Sequence, residues 1–382
     1  MNFGFQFVGF LWAVVTVPLA TLLLMVAATW DGRMFAVAVI CAGIAPLLSA
    51  LGRALDRRRW RRGAAALGIL FVVLSIILMA RAPTGQAVSA AKVQHCYTGG
   101  DSHFSRFSLG NILPEVDQLM LGFTLMTVVD PLLTAQQSVS LKAMTRQIYR
   151  ELEADPDFHA LGSTMTEVYD EILERGIHAG NTYLYIPPGL DRTRPAPVLV
   201  FLHGSGGNFK AYSWVLSRLA ERQKLVLLAP SFGMGNWTPT GTEQAVHSAL
   251  QAAAQQVKLD SRAIHLMGLS NGGLGVSQLL GSQNSLFRSF IFLSPVFDRT
   301  HMITSASIPQ IAGKPIFILT GAIDDRIPLG YVQTCAADLE HVGARVRLES
   351  VPDANHFLIF SHQEKMLSEL EAWLNSLSKS EP

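Results

Sequence analysis

Three groups of residues in the second half of this 382-residue chain are of types that do chemistry together. Gly268-Leu269-Ser270-Asn271-Gly272 has G-x-S-x-G spacing, which puts a serine on a sharp strand-to-helix turn with its hydroxyl exposed as a nucleophile. A side chain at either glycine would crowd that turn, and Gly273 extends the open space. His203-Gly204-Ser205-Gly206-Gly207 is a glycine-rich loop whose backbone N–H groups suit a developing oxyanion. It lacks the G-x-x-x-x-G-K-[ST] spacing of a phosphate loop. The candidate oxyanion donors are the N–H groups of Ser205 and of Asn271, with Gly206 as a substitute for Ser205. The third group is a carboxylate, Asp324 or Asp325, followed by His356. An imidazole there takes the serine proton, and a carboxylate fixes its tautomer and stabilises the imidazolium.

These groups need a scaffold that holds them at one edge. From about residue 179, short apolar runs alternate with amphipathic stretches. Strands are expected at 182–186, 198–202, 225–229, 264–267, 290–293, 316–319 and 346–351, and helices at 211–222, 242–257 and 362–377. Most of the runs are continuously apolar, as in strands buried on both faces of a mostly parallel sheet. The expected fold class is α/β, an open sheet flanked by helices with ligands at the carboxyl ends of its strands. The 203–207 loop follows the run 198–202, Ser270 follows 264–267, Asp324 follows 316–319 and His356 follows 346–351. His203 reads as ordering its own loop, while His301 and His362 read as structural or exposed.

In that order of serine, acid and histidine, residues of about 180–376, roughly half the chain, resemble the α/β-hydrolase superfamily. The branch they are most similar to is the small esterases of the phospholipase/carboxylesterase and dienelactone-hydrolase type. In that family the acid lies in a G-x-x-D-x-x-[VI]-P-like turn, matched here by Gly321, Asp324, Ile327 and Pro328. The resemblance therefore implies Asp324 rather than Asp325. Asp298, after the run 290–293, is a third candidate because some members use that strand end. The implied chemistry is hydrolysis of an ester, thioester or lactone through an acyl-enzyme on Ser270, with a small-molecule or lipid-like acyl ester as substrate. A peptidase or amidase with the same triad is an alternative, and so is a non-catalytic, membrane-tethered binding protein. Gly206, Phe232 and Trp237 are candidate substrate-binding residues, and Phe209, Tyr212 and Trp214 also follow strand ends. No cofactor is expected, and no H-E-x-x-H or Cys/His cluster points to a metal.

The first 82 residues are of another kind. They hold only 10 of the chain's 59 charges, 7 of them within 53–62. Three uncharged runs, 1–30, 34–52 and 63–80, each reach the length of a spanning helix. Spans are expected at about 5–29, 34–52 and 63–81. The loop 53–62 carries six Arg and one Asp, and basic loops stay cytoplasmic. That orientation puts Met1 inside and everything after Arg81 outside, a multi-pass protein of the cell membrane with its catalytic domain extracytoplasmic (periplasmic). The bilayer is then a partner. The segment 118–129 is also apolar, but twelve residues are short for a fourth span and fit a core or interfacial helix.

The chain carries a net charge of +1 with +6 in residues 1–82, so the remainder is mildly acidic, which argues against a nucleic-acid partner. Protein partners are not indicated. Three parts are expected: a membrane segment 1–82, a linker and helical connecting region 83–178, and a catalytic domain 179–378. In the connecting region 83–112 reads as an extended or loop-rich connection and 141–154 as a helix. Thr164-Met165-Thr166-Glu167 matches a capping box at the start of another helix. Cys96 and Cys335 fall on the same side of the membrane, where a disulfide between them would persist.

Overall fold

A computed structural model describes residues 2–85, 92–98, 103–177, 180–282 and 286–379. Met1, parts of the connecting stretch (86–91 and 99–102) and the expected boundary at 178–179 lie outside the described residues. The chain forms two compact units, one of residues 1–84 and 105–147 and one of residues 85–104 and 148–382. The connecting region 83–178 thus contributes to both.

The first unit begins with α1 (Asn2–Val26), α2 (Trp30–Ala54) and α3 (Arg58–Arg81), each long and apolar enough to cross a membrane. The Thr29 hydroxyl accepts from the Gly32 N–H and caps α2, so that helix starts before its uncharged run. At the other end α3 absorbs most of the basic loop, leaving only Leu55, Asp56 and Arg57 between helices. Asp31 near the start of α2 pairs with Arg81 at the end of α3, at 2.7 Å, as antiparallel neighbours require. Next come α4 (Leu109–Ile112), α5 (Glu115–Val129) and α6 (Ala135–Leu152), with the last turn of α6 in the second unit. The apolar segment 118–129 is the body of α5.

The second unit holds α7 (Pro156–Ala160), α8 (Met165–Ile172) and an eight-stranded sheet. Its strands are β1 (Val93–Tyr97), β2 (Asn181–Tyr185), β3 (Ala196–Leu202), β4 (Val226–Pro230), β5 (Leu259–Leu269), β6 (Ser289–Leu293), β7 (Pro315–Gly321) and β8 (Arg345–Val351). They lie in the order β1-β2-β4-β3-β5-β6-β7-β8. From β4 to β8 all pairs are parallel, whereas β1 and β2 pair antiparallel. The helices are α9 (Lys210–Gln223), α10 (Pro239–Ala254), α11 (Gly272–Leu280), α12 (Arg299–Met302), α13 (Ile308–Ile311), α14 (Leu329–His341), α15 (Leu358–Ser361) and α16 (Gln363–Lys379). This is the expected class, a mostly parallel sheet flanked by helices.

Alternation along each strand sorts the two faces. Val198, Val200 and Leu202 of β3 join a core with Ala249 of α10, Val276 of α11 and Leu339 of α14. On the opposite face Phe201 meets Tyr212 of α9, and Phe317 stacks on Trp373 of α16 with centroids 5.5 Å apart. Every residue of β7 is buried, which matches its unbroken apolar run.

In the connecting region one reading needs correction, the capping box at Thr164. Part of the stretch 83–112 is the extended strand β1, whose His95 is wedged between Tyr97 and Tyr183, each 4.6 Å away by ring centroid. The capping box does not form: Thr164 donates its hydroxyl to the Asn208 carbonyl at 2.7 Å, and Glu167 is taken by Asn181. Cys96 and Cys335 are free thiols, because β1 forms one edge of the sheet and α14 packs on β7 and β8 at the other.

Candidate active site

Ser270 sits between β5 and α11 with φ +50°, a left-handed conformation that side-chain-bearing residues rarely adopt. Its neighbours make that turn feasible. A Cβ on Gly272 would lie 2.1 Å from the Leu202 carbonyl oxygen, and one on Gly268 would lie 2.4 Å from that of Gly272. The glycines thus let the start of α11 press against the end of β3, where the 203–207 loop begins.

His356, in the connection from β8 to α15, bridges the other two groups. Its Nε2 is 3.0 Å from Ser270 Oγ and its Nδ1 is 2.9 Å from Asp324 Oδ2. With Asp324 ionised, Nδ1–H donates to the carboxylate and Nε2 is left to accept from the serine hydroxyl. The other Asp324 oxygen accepts from the N–H groups of Arg326 and Ile327, both at 2.9 Å, so the carboxylate cannot swing away. Its side chain is buried, while that of His356 is partly open to solvent. Asp325, the adjacent candidate, points outward and is exposed. Asp298, the third, is held by His301 and Gln278.

The 203–207 loop lies against the nucleophile: a Cβ on Gly204 would come within 3.2 Å of Ser270 Cβ. His203 is fully buried and locks the loop from inside. Its Nε2 accepts from the Phe232 N–H at 3.0 Å, so its Nδ1–H donates to the Gly204 carbonyl at 2.8 Å. Burial lowers its pKa to about 4, so the ring is neutral near pH 7. Trp237 donates its indole N–H to the His203 carbonyl at 2.9 Å and stacks on Phe232. Both aromatics are buried beneath the loop in the sheet's core, and Phe209 and Tyr212 are also buried. Trp214 meets Phe158 edge-on.

Among the candidate donors, Gly206 directs its N–H to the Met234 carbonyl at 2.9 Å. Among the described residues, the N–H groups of Ser205 and Asn271 donate to no protein acceptor. Glu171 of α8 completes the arrangement: its carboxylate accepts from the Met234 N–H and, at 3.1 Å, from the Asn236 side chain. Nothing local marks Glu171, because its partners lie more than sixty residues along the chain. No group of three or more His, Cys, Asp and Glu among the described residues is arranged to hold a metal.

Residues 199–329 match the family described as the alpha/beta hydrolase family. The strand order and the serine elbow, with this match over about a third of the chain, define an α/β-hydrolase fold. Among solved structures, a thermostable esterase is 19% identical with a TM-score of 0.41, over 51% of this chain and 58% of that one. Esterase 2 of Thermogutta terrifontis is 18% identical with a TM-score of 0.44, over 53% of this chain and 91% of that one. Est1E from Butyrivibrio proteoclasticus is 16% identical with a TM-score of 0.41, over 52% and 95%. The chain therefore spans little more than half the length of the first of these. No curated protein matches it by sequence.

Proposed function

We propose that this protein is a membrane-anchored serine hydrolase that cleaves carboxylic esters, thioesters or lactones. The observation that carries the reading is His356 bridging Ser270 Oγ and Asp324 at 3.0 and 2.9 Å. In this mechanism Ser270 Oγ attacks the acyl carbon while its proton passes to His356 Nε2. The oxyanion accepts hydrogen bonds from the N–H groups of Ser205 and Asn271. Asp324 stabilises the imidazolium, which then protonates the leaving alcohol or thiol as the tetrahedral adduct collapses. Water repeats the sequence on the acyl-enzyme, releasing the acid and restoring Ser270.

The anchor is α1–α3, whose length and composition support three spans. The six Arg of 53–62 support a cytoplasmic α2–α3 connection and an extracytoplasmic catalytic unit.

The test is labelling of the full chain with a fluorophosphonate probe, followed by mass-spectrometric mapping. Labelling at Ser270, its loss in Ser270→Ala, and turnover of a p-nitrophenyl ester in preference to the matched anilide are expected. An unlabelled Ser270 in folded protein overturns the proposal. For the orientation, a reporter active only in the cytoplasm, fused after residue 382, should be silent.

A further inference from the structure

The stretch 118–141 carries one charge, Asp130, in 24 residues, yet it forms a helical hairpin on the surface of the first unit rather than a core. Val128 is 84% exposed, Val129 77%, Val139 63% and Leu132 43%, all at or near the turn between α5 and α6. Several polar groups of the hairpin are used internally. Ser138 donates to the Phe123 carbonyl at 2.8 Å, Lys142 Nζ to the Thr124 hydroxyl at 3.1 Å, and the hydroxyls of Thr124 and Thr127 to carbonyls of their own helix. Around the turn the outward surface is dominated by Val128, Val129, Pro131, Leu132 and Val139, with Thr134, Gln136 and Ser140 its exposed polar residues.

Within this unit the base of the hairpin is fastened to the end of the first span. Asp117 accepts from the N–H groups of Ala28 and Thr29 and from the Thr29 hydroxyl, and Arg146 donates to the Val26 carbonyl at 3.2 Å. One turn beyond Asp117, Leu121 packs on the cluster of Leu23, Ala27, Ala36 and Leu113. So α5 leaves the α1–α2 connection along the apolar ends of those two helices. At 1.5 Å per residue its 15 residues cover about 22 Å, short of a hydrocarbon core of roughly 30 Å. A helix that cannot span, turns back at Pro131 and satisfies its backbone internally meets the conditions for entering one leaflet.

We propose that the α5–α6 hairpin is a re-entrant membrane element, its turn seated among the acyl chains of the leaflet that holds the α1–α2 connection. This rests on the reading of α1–α3 as spans, and the two can fail separately.

The experiment is site-directed spin labelling of the full chain reconstituted in phosphatidylcholine/phosphatidylglycerol vesicles. Val129→Cys and Val139→Cys report on the hairpin, Val72→Cys in α3 on a span, and Glu340→Cys on an exposed site of the catalytic unit. The unsubstituted chain, whose Cys41 and Cys335 are buried, gives the background. Labels at 129 and 139 should collide with oxygen as the label at 72 does, and collide with a water-soluble nickel chelate at least fivefold less than the label at 340. Nickel access at 129 equal to that at 340, with 72 still shielded, overturns the hairpin proposal and leaves the spans standing. Nickel access at 72 as well overturns both. Dipolar broadening at 129 that disappears on dilution with unlabelled protein identifies a second copy as the occupant, and the proposal fails.

Discussion

The Glu171 carboxylate accepts from the Met234 N–H, and the Met234 carbonyl accepts from the Gly206 N–H. A residue of α8 is thereby linked, through Met234, to the 203–207 loop that is proposed to hold the oxyanion. Losing a whole oxyanion donor costs about 10²–10³ in rate, so a donor that is only loosened costs less. Glu171→Ala is expected to lower kcat on a p-nitrophenyl ester about tenfold with KM nearly unchanged. Glu171→Gln, which keeps one acceptor oxygen, should recover part of the loss. If both variants match the parent enzyme in kcat, Glu171 has no positioning role.

Asp324 and Asp325 are adjacent in sequence and opposite in situation. The first reaches His356 from a buried position, whereas the second is exposed. Converting Asp324 to Asn keeps an acceptor for Arg326 and Ile327 but removes the charge that stabilises the imidazolium. Substitutions of this type cost about 10⁴ in kcat. Asp324→Asn should show a loss of that order in initial-rate assays, and Asp325→Asn should stay within threefold of the parent. The reverse ranking would remove Asp324 from the mechanism.

Gly321 ends β7 where the His356 connection crosses it, and a Cβ there would lie 2.1 Å from the Ala354 carbonyl oxygen. Backbone cannot yield as a flexible side chain would, so Gly321→Ala must push that connection, and His356 with it, away from Ser270. Fluorophosphonate labelling should slow by about two orders of magnitude, the scale expected for a misplaced catalytic group. Gly330→Ala is the control, because nothing lies within 4 Å of the added methyl and a helical alanine is the better former. Its labelling should be unchanged.

Ser270, His356 and Asp324 could be read from sequence because each follows a strand, and a parallel sheet delivers its strand ends to one edge. The positive φ of Ser270 is written in the glycines beside it. What was not legible depends on distant partners. β1 exists because Val93–Tyr97 pairs with β2 more than eighty residues on, and nothing in Val-Gln-His-Cys-Tyr alternates. Thr164 and Glu167 have capping-box spacing, but Asn208 and Asn181 offer buried partners that prevail. Phe232 and Trp237 have the chemistry of a ligand pocket and also of a loop support, and only packing separates the two.

Burial also sets how stability should vary with pH. It lowers the pKa of His203 and His265 to about 4 and that of His95 to about 3, all from an ordinary 6.5. Below about pH 6.5 the unfolded chain takes up protons at these rings that the folded one refuses until about pH 4, so stability falls on acidification through that window. Glu167 acts in the opposite direction. Burial, assisted by the nearby Asp170 charge, raises it from 4.5 to about 8 against its hydrogen bond from Asn181. Between those values the folded state holds a proton that the unfolded state has released, so stability falls as pH rises. With three histidines dominating below 6.5 and Glu167 above it, the melting temperature of the full chain in detergent should peak near pH 6.5. Glu167→Gln keeps the acceptor for Asn181 and removes the titration, so its advantage in melting temperature should grow by several degrees from pH 6 to pH 8. Parallel melting curves for the two proteins across that range would show that Glu167 is ionised in the fold and that this account of its burial is wrong.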